Sequence, residues 1–305
     1  MRNKVLVLLI LILSTWQNLC AYELGIVTMF RNEANYLKEW IEYHHMLGVD
    51  HFLLYNDRSV DHWAEVLEPY IKSNLVEVFE WSALPGTPIF PFHQITAYRD
   101  GLRRSKENTK WLAFIDIDEF ILPKKNATIL ECINQFFPNA DGLYICWRNF
   151  GTNNVYINPG EPILLRLTAA SHPLHSKNAS GKSIVKVDEV VIDQAWSPHF
   201  LVLKQGAQYC NGSGRPLYFN GDDLQVDSQH TSDHIQINHY AMKDENFYQK
   251  VRLPMAISKE YGDLNLLKEQ YQSFNYTQDY LMIQFLKKNY PTMYHTFWQG
   301  QYIYN

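Results

Sequence analysis

The sequence lacks any long run of like charge. Its 305 residues include 27 Lys and Arg against 32 Asp and Glu, a formal net charge of -5. Proteins that bind nucleic acid need a basic stripe to meet the phosphates. The charge pattern therefore argues against a nucleic-acid partner. There is also no internal repeat and no low-complexity tract.

Cysteine is scarce. After Cys20 in the N-terminal segment only Cys132, Cys146 and Cys210 remain. Their spacing matches no zinc-binding pattern. Three thiols permit one disulfide with a free thiol, or no disulfide, and both alternatives stay open.

Unbroken apolar runs of transmembrane length are missing. Arg2 and Lys4 precede nine aliphatic residues at 5–13, and a small-residue cleavage site follows at 19–21. This order is typical of a signal peptide over residues 1–21. The uncharged stretch 5–22 has only 18 residues, so a membrane anchor there is a short alternative. We expect entry into a secretory pathway: a Golgi or ER lumen in a eukaryote, or export from a bacterium.

Hydrophobic residues are plentiful, at 46% of the chain, and aromatic residues make up 14%. A substantial core is therefore possible, in one large domain or two small ones. The 20 Tyr and eight Trp either pack in the core and its rim or form a surface that stacks on sugar rings.

Strand and helix patterns alternate in the first half. Apolar runs predict strands at 24–30, 51–55, 75–81 and 111–115, and amphipathic stretches predict helices at 35–48, 61–71 and 91–106. Gly48 is predicted to cap the C-terminus of the first helix. The alternation predicts an α/β fold with a mostly parallel sheet and helices on both faces.

The second half is richer in strand patterns. Apolar runs predict strands at 141–151, 162–170, 182–192 and 199–203, and a strand followed by a helix at 235–254. Residues 204–233 are rich in Gly, Asn, Asp and Ser and predict a long loop region. Helical patterns at 264–274 and 278–291 predict a helical tail.

Polar clusters follow three of the predicted parallel strands, at 31–33, 56–58 and 116–119. The carboxyl ends of such strands meet at one edge of the sheet, where ligands bind. Asp116 and Asp118 would face the same way on a strand and could hold one Mg²⁺ or Mn²⁺. His239, after an apolar strand, is a suitable third ligand. A solvated acidic turn and a structural histidine are the alternatives.

Several other polar residues are candidates for binding an anionic ligand. Arg31, Asn32 and Glu33 open a helix, whose N-terminal amides favour anions, although Glu33 fits a ribose or base better. Asp57 could accept from a ribose or base, and Lys182 could hold a diphosphate as a point charge. Lys186 and His199 are further candidates for binding an anionic ligand. Capping, surface and packing roles are the alternatives for all of them.

Together these stretches resemble glycosyltransferase family 92. The stretches are RNEANYLKEWIEYHHMLGVDHFLLYNDRSVD (31–61), KWLAFIDIDEFILP (110–123), WRNFG (147–151), KSIVK (182–186), HF (199–200) and INHYAMKDENFYQK (237–250). The resemblance spans roughly residues 24–255. It implies a GT-A fold, a UDP-sugar donor, Mn²⁺, a glycan acceptor and inverting transfer, with galactosyl transfer known in animal and plant members. It divides residues 22–305 into a nucleotide-sugar half (22–123), an acceptor half (124–255) and the tail (256–305).

The resemblance also implies roles for individual residues. Asp116 and Asp118 match the Asp-x-Asp motif that binds the ribose and the metal-diphosphate, and His239 matches the motif that completes the metal site. The nucleotide-side blocks are matched by Arg31, Asn32, Glu33 and Asp57. The chain departs from the family where Lys243 is followed by Asp244 instead of Ser.

Inverting transfer requires a general base on the acceptor hydroxyl. Asp188, Glu189 and Asp193 lie in a suitable downstream region, and Glu119 adjoins the metal site, so the base stays unassigned. Two other functional classes are open. One is a glycan-binding protein without catalysis. The other is a haloacid-dehalogenase-type phosphohydrolase, although Phe120 stands where that motif has Thr or Val.

Overall fold

A computed structural model describes residues 21–82, 92–194, 197–220, 223–225, 231–258 and 264–295. The predicted signal segment lies outside these residues, except for Ala21. Within the described ranges, no helix combines the length and the apolar character that a membrane span needs.

The first half folds as alternating strands and helices. They are β1 (Tyr22–Phe30), α1 (Ala34–Met46), β2 (His51–Asn56), α2 (Trp63–Lys72), β3 (Val76–Glu80), α3 (Phe92–Ser105) and β4 (Thr109–Phe114). The four strands are parallel, in the order β4-β1-β2-β3. The predicted βαβ arrangement and α/β class are confirmed.

The helices cover both faces of this sheet because apolar residues alternate along its strands. Leu24 and Ile26 of β1 belong to the core cluster that contains α1 and α2, whereas Val27 packs with α3. Gly101 allows α3 to approach β1 closely, since an added Cβ would lie 2.7 Å from Val27. Gly48 follows α1 with φ of +94°, as its predicted capping role requires.

The second half extends the sheet with antiparallel and parallel strands. Its elements are β5 (Glu119–Pro123), α4 (Ile129–Phe136), β6 (Gly142–Asn149), β7 (Ala169–Ala170), β8 (Gly181–Lys186), β9 (Tyr209–Asn211), β10 (Pro216–Asn220), β11 (Asp223–Gln225), β12 (Ile235–His239), α5 (Glu245–Phe247), α6 (Leu253–Ser258), α7 (Leu264–Gln272), β13 (Thr277–Gln278), α8 (Leu281–Asn289) and α9 (Pro291–Met293). A five-residue π-helix, Tyr248–Arg252, joins α5 to α6. From β4 the sheet continues through β8, β6, β9, β10 and β11, and β12 lies between β5 and β6.

Three predictions for the second half were wrong. The run 162–170 forms a strand only at Ala169–Ala170, because the amides of Ile163 and Leu164 bind the Glu39 side chain instead of a neighbouring strand. The run 199–203 makes a single bridge to Val190. The predicted loop 204–233 contains β9, β10 and β11.

The end of β8 and the state of the cysteines were the other open points of the second half. The strand predicted at 182–192 ends at Lys186 and is followed by a 3₁₀ turn, Val187–Glu189. Cys132, Cys146 and Cys210 all lie in described segments, and the structure forms no disulfide among them.

Candidate active site

The candidate site lies at the carboxyl edge of the parallel strands. Glu33 follows β1, Asp57 follows β2, and Asp116 follows β4. A cleft of about 220 Å³ at this edge is lined by Met29, Phe30, Arg31, Glu33, Gln94, Asp116, Ile117 and Asp118. Strand pairing brings in two more residues, because His239 at the end of β12 stands opposite Glu119 on β5.

Asp118, Glu119 and His239 form a compact cluster. One ligand atom from each lies within 4.8 Å of the others, and His239 Nε2 is 3.8 Å from Asp118 Oδ1. His239 Nδ1 donates to the side-chain oxygen of Asn149, at 2.9 Å. This bond leaves the Nε2 lone pair directed at the carboxylates, and burial lowers the pKa of His239 to about 4. A neutral imidazole held by such a hydrogen bond is a typical metal ligand.

Glu119 is fully buried and only partly satisfied. Its Oε2 accepts from the Asp116 amide at 2.9 Å, whereas Oε1 has no hydrogen-bond partner within the described segments. Burial raises the pKa of the Glu119 carboxyl well above its ordinary value, and the nearby carboxylates add to this effect. A divalent cation would satisfy Oε1 and offset the charge repulsion. The donor set of two carboxylates and one imidazole therefore fits Mn²⁺ or Mg²⁺.

Asp116 lies beside this cluster with its oxygens held by other partners. Its Oδ1 accepts from Gln94 Nε2 at 2.7 Å and from the Tyr98 hydroxyl at 3.2 Å, and its Oδ2 accepts from Lys182 Nζ at 2.8 Å. Burial alone would raise the pKa of the Asp116 carboxyl, but the Lys182 ammonium holds it below its usual value. Metal ligation by Asp116 stays a prediction, since its oxygens are not in the cluster.

Lys182 is at the site, as its predicted role requires, but its side chain is only 2% exposed. Its ammonium also lies 3.9 Å from Glu119 Oε2. Lys182 therefore neutralises the buried carboxylates, and a contact with a diphosphate stays a prediction.

The nucleotide-side residues surround the same edge. Asp57 is buried and receives Arg58 Nε at 2.9 Å, with Arg31 Nη1 at 3.8 Å and His93 Nε2 at 3.6 Å. Arg31 is half exposed. Asn32 accepts from the Val60 amide and so joins two loops of the edge.

Glu33 forms an ion pair with Lys243, which lies four residues after His239. The Lys243 ammonium is 4.2 Å from the Tyr36 ring centre and 4.5 Å from that of Phe247. Burial raises the pKa of Glu33, and Lys243 opposes this rise. The pair lies beside the cleft, which Glu33 lines.

Three of the predicted base candidates, Asp188, Glu189 and Asp193, lie away from the site. Strand β8 runs antiparallel to β4 and pairs Lys186 with Trp111, near the start of β4. Asp188 and Glu189 follow Lys186, so they lie towards the opposite edge of the sheet. Glu119, the remaining base candidate, is at the site, where it belongs to the cluster that it forms with Asp118 and His239. Asp193 is solvent-exposed beside Arg103.

Three site residues were missed from the sequence: Gln94, Tyr98 and Asn149. Gln94 and Tyr98 lie one turn apart on α3, on the face of the helix that contacts Asp116. Their spacing within the predicted helix 91–106 was a signal, because residues one turn apart lie on the same face. Asn149 had no such signal, because its pairing with His239 depends on β6 and β12 becoming neighbours.

Comparison with known sequences gives the same family as the motifs. The profile of glycosyltransferase family 92 matches residues 24–252. The chain belongs to glycosyltransferase family 92. A family 92 protein of Oryza sativa subsp. japonica is 29% identical over 203 residues, which cover 65% of this chain and 32% of the relative. A family 92 protein of Ricinus communis is 26% identical over 211 residues, which cover 67% of this chain and 36% of the relative. The family 92 chain thus spans about a third of the length of these curated relatives.

Solved structures show a more distant likeness. Residues 1–349 of S. aureus TarS in complex with UDP-GlcNAc align with a TM-score of 0.36 at 14% identity, covering 91% of this chain and 74% of that chain. A second structure is that of glucosyl-3-phosphoglycerate synthase from Mycobacterium tuberculosis in complex with Mn²⁺, UDP and glucosyl-3-phosphoglycerate. It aligns with a TM-score of 0.30 at 15% identity, covering 55% of this chain and 58% of that chain.

Proposed function

We propose that this family 92 chain is a metal-dependent, inverting glycosyltransferase that moves a hexose from a UDP-sugar to a glycan hydroxyl. The observation that carries the proposal is the Asp118, Glu119 and His239 cluster at the carboxyl edge of the βαβ sheet, in which Glu119 Oε1 has no hydrogen-bond partner among the described residues. The family resemblance favours galactose as the sugar. We also propose that the protein acts in the secretory pathway or after export, where the N-terminal segment would direct it.

The residues divide the work as follows. Asp118, Glu119 and His239 would hold Mn²⁺ or Mg²⁺, which when bound supplies positive charge against the leaving diphosphate. Asp116, fixed by Gln94 and Lys182, stays partly exposed and can accept from a ribose hydroxyl.

The test is UDP release from a panel of UDP-sugars with Mn²⁺, with and without EDTA, together with Mn²⁺ binding measured by calorimetry. We expect wild-type protein to release UDP only with metal and Asp118→Asn to lose both release and Mn²⁺ binding. Asp188→Asn is the matched control at the opposite edge and keeps both. Metal-independent release, or unchanged release by Asp118→Asn, contradicts the metal assignment. Glycan binding without release from any UDP-sugar indicates the non-catalytic alternative.

A further inference from the structure

Three aromatic rings of the second half, those of His239, Trp147 and His199, lie next to one another beside the Asp118, Glu119 and His239 cluster. The Trp147 ring centre lies 4.2 Å from the ring of His239 and 5.4 Å from that of His199. Both imidazoles therefore contact the same indole at this edge of the sheet. His199 is not part of the Asp118, Glu119 and His239 cluster, so it is not a proposed metal ligand.

The His199 ring is fixed in one orientation and one tautomer. Its Nδ1 lies 2.9 Å from the carbonyl oxygen of Gly181, and because a carbonyl only accepts, Nδ1 carries the proton. The His199 carbonyl accepts from Ser183 Oγ at 3.0 Å, and its amide donates to Ser197 Oγ at 3.2 Å. The Nε2 lone pair meets no hydrogen-bond donor in the parts of the chain that the structure describes, and the residue is only half-buried.

The location of His199 follows from the strand register. Gly181 begins β8, opposite Cys146 of β6 and next to the carboxyl end of β4. His199 therefore meets the sheet at the edge that carries Asp116. It belongs to the predicted acceptor half, whereas the Asp-x-Asp motif belongs to the nucleotide half.

We propose that His199 is the catalytic base that takes the proton from the acceptor hydroxyl, an inference that rests on the proposed glycosyl transfer. In this step the acceptor O–H proton moves to His199 Nε2 while the acceptor oxygen forms a bond to the anomeric carbon. The bond from that carbon to the UDP oxygen breaks, and its electron pair leaves with UDP. The imidazolium then returns its proton to solvent.

The charged groups around His199 suit this role. Burial lowers the pKa of His199, the Lys182 ammonium of β8 lowers it further, and the Asp116 carboxylate acts in the opposite direction. His239 also contacts the Trp147 ring. Near neutral pH the His199 ring is therefore uncharged and able to accept a proton.

The first test uses His199→Asn, whose side-chain amide can still donate to the Gly181 carbonyl but offers nothing in place of Nε2. We expect kcat for transfer to fall about 10²- to 10⁴-fold, the usual contribution of a general base. UDP affinity in the presence of Mn²⁺ stays at the wild-type value. His45→Asn, at an exposed position of α1, is the matched control and keeps wild-type kcat.

The second test is the pH profile of kcat. In the wild type, kcat falls tenfold per pH unit below the pKa of the base, because a protonated ring accepts no proton. His199→Asn loses this limb, and added imidazole raises the kcat of His199→Ala, a rescue that a purely structural role would not give. Wild-type kcat in His199→Asn, or UDP affinity lost in parallel with kcat and no rescue, overturns the base assignment while the proposed function stands. A wild-type protein that releases no UDP from any UDP-sugar overturns both.

Discussion

Glu39 is a buried carboxylate in the middle of α1 that ties down a distant loop. It is 5% exposed, and its two oxygens accept from the Ile163 and Leu164 amides at 2.8 and 3.1 Å. Backbone amides buried away from water need such acceptors. Glu39 therefore lets the apolar residues that follow Pro162 enter the core without strand pairing.

Replacing Glu39 tests this account. Glu39→Ala leaves two buried amides without this acceptor, which costs roughly 1–3 kcal/mol for each stranded donor. We expect a lower free energy of unfolding in urea, followed by circular dichroism. The control is Glu68→Ala on α2, which removes an exposed pair with Lys72 and changes stability little. Equal effects of the two substitutions would refute the role of Glu39.

At the scale of elements, α1 covers the free edge of β5 with three side chains. Trp40 Nε1 donates to the Glu119 carbonyl at 2.9 Å, and the Tyr43 hydroxyl donates to the Ile121 carbonyl at 2.8 Å. His44 Nε2 accepts from the Ile121 amide at 3.3 Å. Because β12 occupies the other edge of β5, these bonds complete its pairing and fix the position of Glu119.

This helix–strand contact makes stability depend on pH. Burial lowers the pKa of His44 from its ordinary 6.5 to about 3. As the pH falls below 6.5, His44 becomes protonated in the unfolded chain but stays neutral in the folded chain. His44 therefore lowers the free energy of unfolding by up to about 1.4 kcal/mol per pH unit between these two values.

The measurement is urea unfolding at several pH values between 7.5 and 4.5. We expect His44→Gln to show a shallower loss of stability on acidification than the wild type. His45→Gln, at the exposed neighbouring position, keeps the wild-type slope. A slope in His44→Gln as steep as in the wild type would rule out this explanation.

The same elements show what sequence patterns predict and what they miss. Strands β1 to β4 and helices α1 to α3 were predicted because each carries its own periodic apolar pattern. Strand β5 was missed, since its five residues begin with a charge, end in Pro123 and depend on side chains of α1 for pairing. Asp118 and His239 were predicted as metal ligands and are brought together. Glu119 was predicted to adjoin the metal site as a candidate base, whereas its contact with His239 follows from the pairing of β5 with β12, which no local pattern encodes.

At the scale of the whole molecule, the Glu33–Lys243 ion pair joins the two predicted halves of the domain beside the cleft. Lys243 is 2% exposed, has φ of +52°, and packs its ammonium against the rings of Tyr36 and Phe247. Asp118 and Asp61 both lie close enough to Glu33 to raise its pKa further. Without Lys243, the Glu33 carboxylate would keep the repulsion of Asp118 and Asp61 and lose the ammonium that offsets it.

Removing one partner should therefore cost far more than removing both. Lys243→Met strands the Glu33 carboxylate, and breaking a buried pair in this way costs about 3–5 kcal/mol. The double variant Glu33→Gln/Lys243→Met carries no stranded charge, so we expect it to be more stable than the sum of the single changes predicts. The measurement is a double-mutant cycle on the free energy of unfolding in urea.

The matched control cycle uses Glu23→Gln and Lys110→Met, an exposed pair at 3.1 Å that joins β1 to β4. Because water screens both of its partners, its coupling energy should stay within about 1 kcal/mol. A coupling energy for Glu33 and Lys243 no larger than that of the exposed pair would show that the contact does not hold the two halves together. A larger coupling means that the contact between the two halves beside the cleft depends on one buried charge pair.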